Sequence, residues 1–101
     1  MAKKKFVFYN LRETYHELGE YEFKIVLDPK SFRNASLSEV SIKDSDGRGM
    51  KFSFEKWGRK INCKFLIDRE VPDGVSTITM KLKDDAGHEY NGISRFWVIK
   101  P

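Results

Sequence analysis

The chain of 101 residues holds one cysteine, Cys63, so it cannot close an internal disulfide, a composition suited to a reducing compartment. Its longest apolar runs are four residues, Phe6–Tyr9 and Phe96–Ile99, far short of a membrane span. The N-terminus is basic and then apolar, but the apolar part stops at Asn10. A secretory signal needs an apolar stretch of roughly 7–15 residues and a small-residue cleavage site, so export is not expected. Two histidines and one cysteine offer no zinc spacing. Walker loop, Gly-x-Ser-x-Gly elbow and dinucleotide fingerprint are all missing. The length also leaves little frame for a buried pocket with several converging polar groups, which argues against an enzyme. Helical periodicity never holds for three turns, and only Leu11–Gly19 offers room for a short helical turn.

What is present is alternation of period two. Tyr21, Phe23, Ile25 and Leu27 share one face, with Glu22 and Lys24 on the other. The same pattern runs through Val40 and Ile42; Met50, Phe52 and Phe54; Ile61, Cys63, Phe65 and Ile67; Ile78, Met80 and Leu82; and Phe96 with Val98. With an opening strand near Lys5–Tyr9, these make about seven strands at the spacing of an all-β sandwich or barrel. Ser45-Asp46-Gly47 reads as a three-residue hairpin loop with Gly47 left-handed, pairing Ile42 with Met50 and Val40 with Phe52. Asp85-Ala86-Gly87 repeats that chemistry. A hairpin centred on Trp57-Gly58 would pair Phe54 with Ile61, Phe52 with Cys63 and Lys51 with Lys64. Asn91-Gly92 reads as a bulge or bend.

The stretch Val71-Pro72-Asp73-Gly74-Val75-Ser76-Thr77-Ile78-Thr79-Met80, followed by Asp84-Asp85-Ala86-Gly87-His88, resembles the last hairpin of bacterial and phage immunoglobulin-like domains. His88 stands where those domains usually have Asn, and the likeness covers the last third of the chain. The paired cysteines and intervening Trp of antibody domains are missing. The resemblance implies an immunoglobulin-like β-sandwich of about seven antiparallel strands over residues 6–101, preceded by a basic arm over residues 1–5. Tight turns at both Gly47 and Gly58 would make a three-stranded meander, so immunoglobulin topology requires one of them to be a sheet crossover. An OB barrel also begins with a meander, but the link from Asp68 to Gly74 is too short for the helix that barrel carries.

Charge is uneven. Residues 48–64 carry Arg48, Lys51, Lys56, Arg59, Lys60 and Lys64 against Glu55, a net +5, and Lys3, Lys4 and Lys5 add +3, within a chain of net +4. With Trp57 at the hairpin tip, this reads as a basic ridge suited to an acidic surface or to phosphate and base. Cys63 alternates with Ile61 and Phe65 and reads as a small buried hydrophobe, not a nucleophile partnered by His16 or His88. Asp44, Asp46, Asp84 and Asp85 fit turns and lack the further oxygen ligands of a calcium loop. Trp97 should face outward beside Ile99 if Phe96 and Val98 face inward.

The function implied by the resemblance is a non-catalytic capsid decoration module of a phage. It would be made in the host cytoplasm, monomeric in solution and bound in many copies to a major capsid or other virion protein. Its expected contacts are Lys3, Lys4, Lys5, Arg48, Lys51, Trp57, Arg59, Lys60 and Lys64, with no cofactor, metal or membrane. The alternatives are a small single-stranded nucleic-acid-binding barrel using Lys51, Trp57, Arg59, Lys60 and Lys64, and a carbohydrate-binding fibre module using Trp57 and Trp97.

Overall fold

In a computed structural model, residues 6–28, 30 and 36–101 are described, and the alternation resolves into two sheets with no helix among them. Eight strands form there: β1 (Phe6–Tyr9), β2 (Thr14–Tyr15), β3 (Gly19–Leu27), β4 (Ser36–Lys43), β5 (Phe52–Trp57), β6 (Lys60–Ile67), β7 (Gly74–Lys83) and β8 (Glu89–Val98). Sheet A has the order β1-β3-β6-β5 and sheet B the order β2-β8-β7-β4. Four strands facing three, in this connectivity, is the arrangement of constant-type immunoglobulin domains, with β2 added beside the last strand. The expected sandwich is therefore present. The added strand is the exception to antiparallel pairing, because β2 runs parallel to β8 with Thr14 beside Trp97 and Tyr15 beside Val98.

The core lies where the alternation puts it. Phe23, Ile25, Leu27, Ile61, Phe65 and Ile67 of sheet A, with Ile42, Ile78, Met80, Leu82, Phe96 and Val98 of sheet B, are all buried. Each such side chain contributes roughly 1.5–3 kcal/mol when taken out of water. Tyr15 fills the centre of one end, its ring edge-on to Phe65 at 5.3 Å and to Phe96 at 5.2 Å. The segment expected to turn helically thus forms a short strand that buries an aromatic ring.

Two turns share one design. Asp44 Oδ1 accepts the N–H groups of Asp46 (2.9 Å) and Arg48 (3.0 Å), and Asp84 Oδ1 accepts those of Ala86 (3.0 Å) and His88 (2.8 Å). Gly47 and Gly87 take the left-handed φ values of 81° and 88° that close each turn. The second turn joins β7 to β8 within one sheet. The first is the crossover: Met50 N–H reaches Ile42 C=O at 2.8 Å, and the chain then leaves sheet B for β5 of sheet A. Val40 consequently pairs with Met80, not Phe52.

The next hairpin differs from expectation by two residues. Phe54 pairs with Cys63, Phe52 with Phe65 and Ser53 with Lys64. The cause is the turn: Gly58 has φ 60°, and a two-residue hairpin places positive φ at its first central residue, so Trp57 and Lys60 form the closing pair. Asn91-Gly92 makes no bend. Gly92 lies within the unbroken β7–β8 ladder, opposite Met80.

Candidate functional site

The expected basic ridge does not converge. Arg48 and Lys51 stand at one end of the β5–β6 hairpin and Trp57, Arg59 and Lys60 at the other, separated by about 20 Å of extended chain. Between them Lys64 faces Glu22, its Nζ 3.3 Å from Glu22 Oε1. An exposed pair of this kind adds little stability, but it neutralises the middle of the row. Asn62 sits between Lys24 and Glu55 in the adjacent row, so the outer face of sheet A carries mixed charge. Lys3, Lys4 and Lys5 lie outside the described residues. Trp57 belongs to sheet A and Trp97 to sheet B. Two open four-stranded sheets also replace the closed barrel of the nucleic-acid reading.

Sheet B presents a different outer face. Along β8 and just past it, alternate residues point outward, and Ile93, Trp97 and Ile99 are 58 %, 50 % and 47 % exposed. Arg95 stands between them, and Val75 lies across from Trp97 on β7. The backbone beneath is fixed from the other side: Trp97 N–H donates to Glu13 C=O at 2.8 Å and Ile99 N–H to Tyr15 C=O at 3.0 Å. Thr79, opposite Ile93, shares its hydroxyl with Ser41 at 2.7 Å. The result is a rigid strip of Ile, Arg and Trp side chains, residue types that carry protein contacts. Outward Trp97 and Ile99 follow from the alternation of the last strand. Ile93 is hidden in the sequence because Asn91-Gly92 reads there as a break in the strand.

Cys63 is fully buried, and burial pushes its thiol up to about 11, so the nucleophilic thiolate is suppressed. No three His, Cys, Asp or Glu side chains among the described residues are grouped to hold a metal ion. The Asp84 carboxyl is displaced from its ordinary value. Burial raises it, but the His88 N–H, the Tyr90 hydroxyl at 2.9 Å, the His88 ring and the Ala86 N–H together hold it below that value. These contacts belong to the β7–β8 turn and shape it. No helix among the described residues is long and apolar enough to cross a membrane.

No family model matches the chain, and no curated protein does. Among solved structures, CopC from Methylosinus trichosporium OB3b superimposes with a TM-score of 0.57 at 17 % identity, covering 88 % of this chain and 84 % of that one. At that identity the likeness shows the β-sandwich fold alone. The expected capsid decoration role does not stand. The similarity to CopC lends that role no support, and the charge ridge that motivated particle docking is dispersed.

Proposed function

We propose that the chain is a non-catalytic protein-recognition domain that holds its partner against the outer face of sheet B. One observation carries this reading: Ile93, Trp97 and Ile99 are exposed on one face, along a backbone paired with β7 as far as Val98 and tied to Glu13 and Tyr15 at Trp97 and Ile99. A rigid strand presenting large side chains loses little conformational entropy on binding, which favours recognition over adaptive wrapping. Arg95, between two of the apolar side chains, supplies a directional hydrogen-bonding group of the kind enriched at the centres of interfaces. The buried, protonated Cys63 supports the non-catalytic part of the reading.

The test is site-specific photo-cross-linking in cells that make the protein. Benzoylphenylalanine at Ile93 and at Arg95 should trap the same discrete adduct, while the same group at Lys24 on sheet A should trap none. Trp97→Ala should reduce the adduct at least tenfold without loss of fold. No adduct from either sheet B position, or adduct formation from Lys24 alone, overturns the assignment.

A further inference from the structure

Four strands end the two sheets, β1, β2, β4 and β5. Strand β8 is also open on the β2 side before Trp97, where its outward Arg95 and the bend of the chain at β2 stand beside it. Natural sandwiches blunt such edges by shortness, bulges or charge. Strand β2 has two residues, β1 has four, and β4 carries a register shift between Leu37 and Glu39. Strand β5 is neither short nor bulged. Its six residues pair with β6 without interruption.

The direction of its free backbone groups follows from one hydrogen bond. Leu66 N–H donates to Lys51 C=O at 3.0 Å. In an antiparallel ladder the bonded pairs recur at every second residue. Ser53, Glu55 and Trp57 therefore turn their N–H and C=O groups toward β6. Phe52, Phe54 and Lys56 turn theirs away from the sheet, where no partner stands among the described residues. The side chains on this rail are unusual for an edge. Phe54 shares the inner face with fully buried Cys63, yet it is 46 % exposed. Its ring stacks on half-buried Phe52 with centroids 6.4 Å apart and 17° between planes.

We propose that β5 is a strand-addition site for an extended peptide that alternates apolar and acidic residues. The added strand would bond to the backbone of Phe52, Phe54 and Lys56. Its apolar side chains would cover the Phe52–Phe54 stack at the open seam between the sheets, the register in which strand addition supplies both affinity and specificity. Charge selects the occupant. Lys51 and Lys56 on the edge, with Arg59 and Lys60 at its turn, outnumber Glu55, while Lys64 is already paired with Glu22. Two copies meeting at β5 would therefore set like charges together, whereas an acidic strand is attracted. This edge lies on sheet A, so the inference stands or falls independently of the sheet B contact.

The probe is a fluorescein-labelled octapeptide of alternating valine and glutamate, followed by anisotropy at low salt. Saturable binding is expected. N-methylation of one alternate set of its amides should weaken binding at least tenfold, and methylation of the other set should leave it nearly unchanged, because only one set faces the rail. Lys56→Pro removes an N–H that points away from β6, so the fold should persist while binding falls at least tenfold; Lys56→Gln controls for the lost charge and should retain most of it. Equal binding by both methylated peptides, or no binding at millimolar peptide, overturns the proposal. So does a dimer in sedimentation equilibrium that Phe54→Lys dissolves, since the occupant is then a second copy.

Discussion

Gly92 of sheet B faces Phe6 of sheet A with no room for a methyl group, and Gly92→Ala tests the packing argument directly. A Cβ at this position would lie 2.8 Å from Met80 Cε and 2.9 Å from both Cε2 and Cζ of Phe6. Ordinary carbon contacts sit near 3.5–4.0 Å, so the overlap is roughly 0.6–0.7 Å at the least. The Met80 terminus can swing aside at little cost. The Phe6 ring has less freedom, because Phe6 is paired with Leu27 and its ring meets Phe8 edge-on at 6.0 Å. Overpacking of this kind costs about 1–3 kcal/mol. Replacing glycine returns about 0.4–1 kcal/mol by restricting the unfolded chain. The net expectation is a loss of about 1–2 kcal/mol, or a fall in Tm of about 4–15 °C for a domain of this size. Thermal and urea unfolding of Gly92→Ala, Phe6→Ala and the double variant would complete the cycle. With the Phe6 ring removed, the added methyl should cost almost nothing, giving a coupling of about 1 kcal/mol or more. A Gly92→Ala protein as stable as the parent, or the same cost in both backgrounds, would exclude the overlap with the Phe6 ring.

Cys63, with its thiol pushed up to about 11 by burial, should not react with a disulfide reagent at pH 8 in the native protein. Labelling should appear only as denaturant unfolds the chain; rapid labelling under native conditions would contradict the burial. The Asp84 carboxyl is held below its ordinary value in the fold, so its ionised form contributes stability that is fully present above the unfolded value, near 3.8, and is lost as pH falls through the lower folded value. The Tm difference between the parent and Asp84→Asn should therefore be largest near neutrality and shrink as the pH drops below about 4. A difference constant from pH 7 to pH 2 would remove the carboxylate from the account.

The inner faces were legible because strand side chains alternate with period two whatever their partner. Phe23, Ile25 and Leu27, and Ile61, Cys63 and Phe65, are all buried where the pattern places them. The Asp-x-x-Gly turns were legible for the same local reason, since Gly47 and Gly87 supply a backbone conformation that other residues resist. Tyr15 was not. Its surroundings show no period, and its burial depends on Phe65 and Phe96, which are far away in the chain. The pairing of Thr14–Tyr15 with β8 is equally non-local. For Gly92, Asn-Gly carries a strong turn signal, and the close approach of Met80 and the Phe6 ring explains a glycine in mid-strand.

The candidate surfaces needed one step more than alternation, namely which strands end up at an edge. Phe52 and Phe54 alternate as core residues should, and on a central strand both would be buried like Cys63 and Phe65 beside them. Their exposure arises because the turn at Gly47 carries the chain to the rim of the other sheet, leaving β5 with a neighbour on one side. Had Gly47 closed an ordinary hairpin, β5 would have lain beside β4, and Phe54 would have had strands on both flanks. The same local signal, Asp-x-x-Gly, thus closes a hairpin at Gly87 and a crossover at Gly47. The difference lies in the partner that each succeeding strand finds. Strand β8 pairs in unbroken register with β7, whereas Phe52 pairs with Phe65, and its partner strand β6 is itself held by β3 through eight residue pairs. Edge position, and with it the open rail on β5, is therefore decided by competition between strands for partners, a property of the whole sheet rather than of any window of sequence.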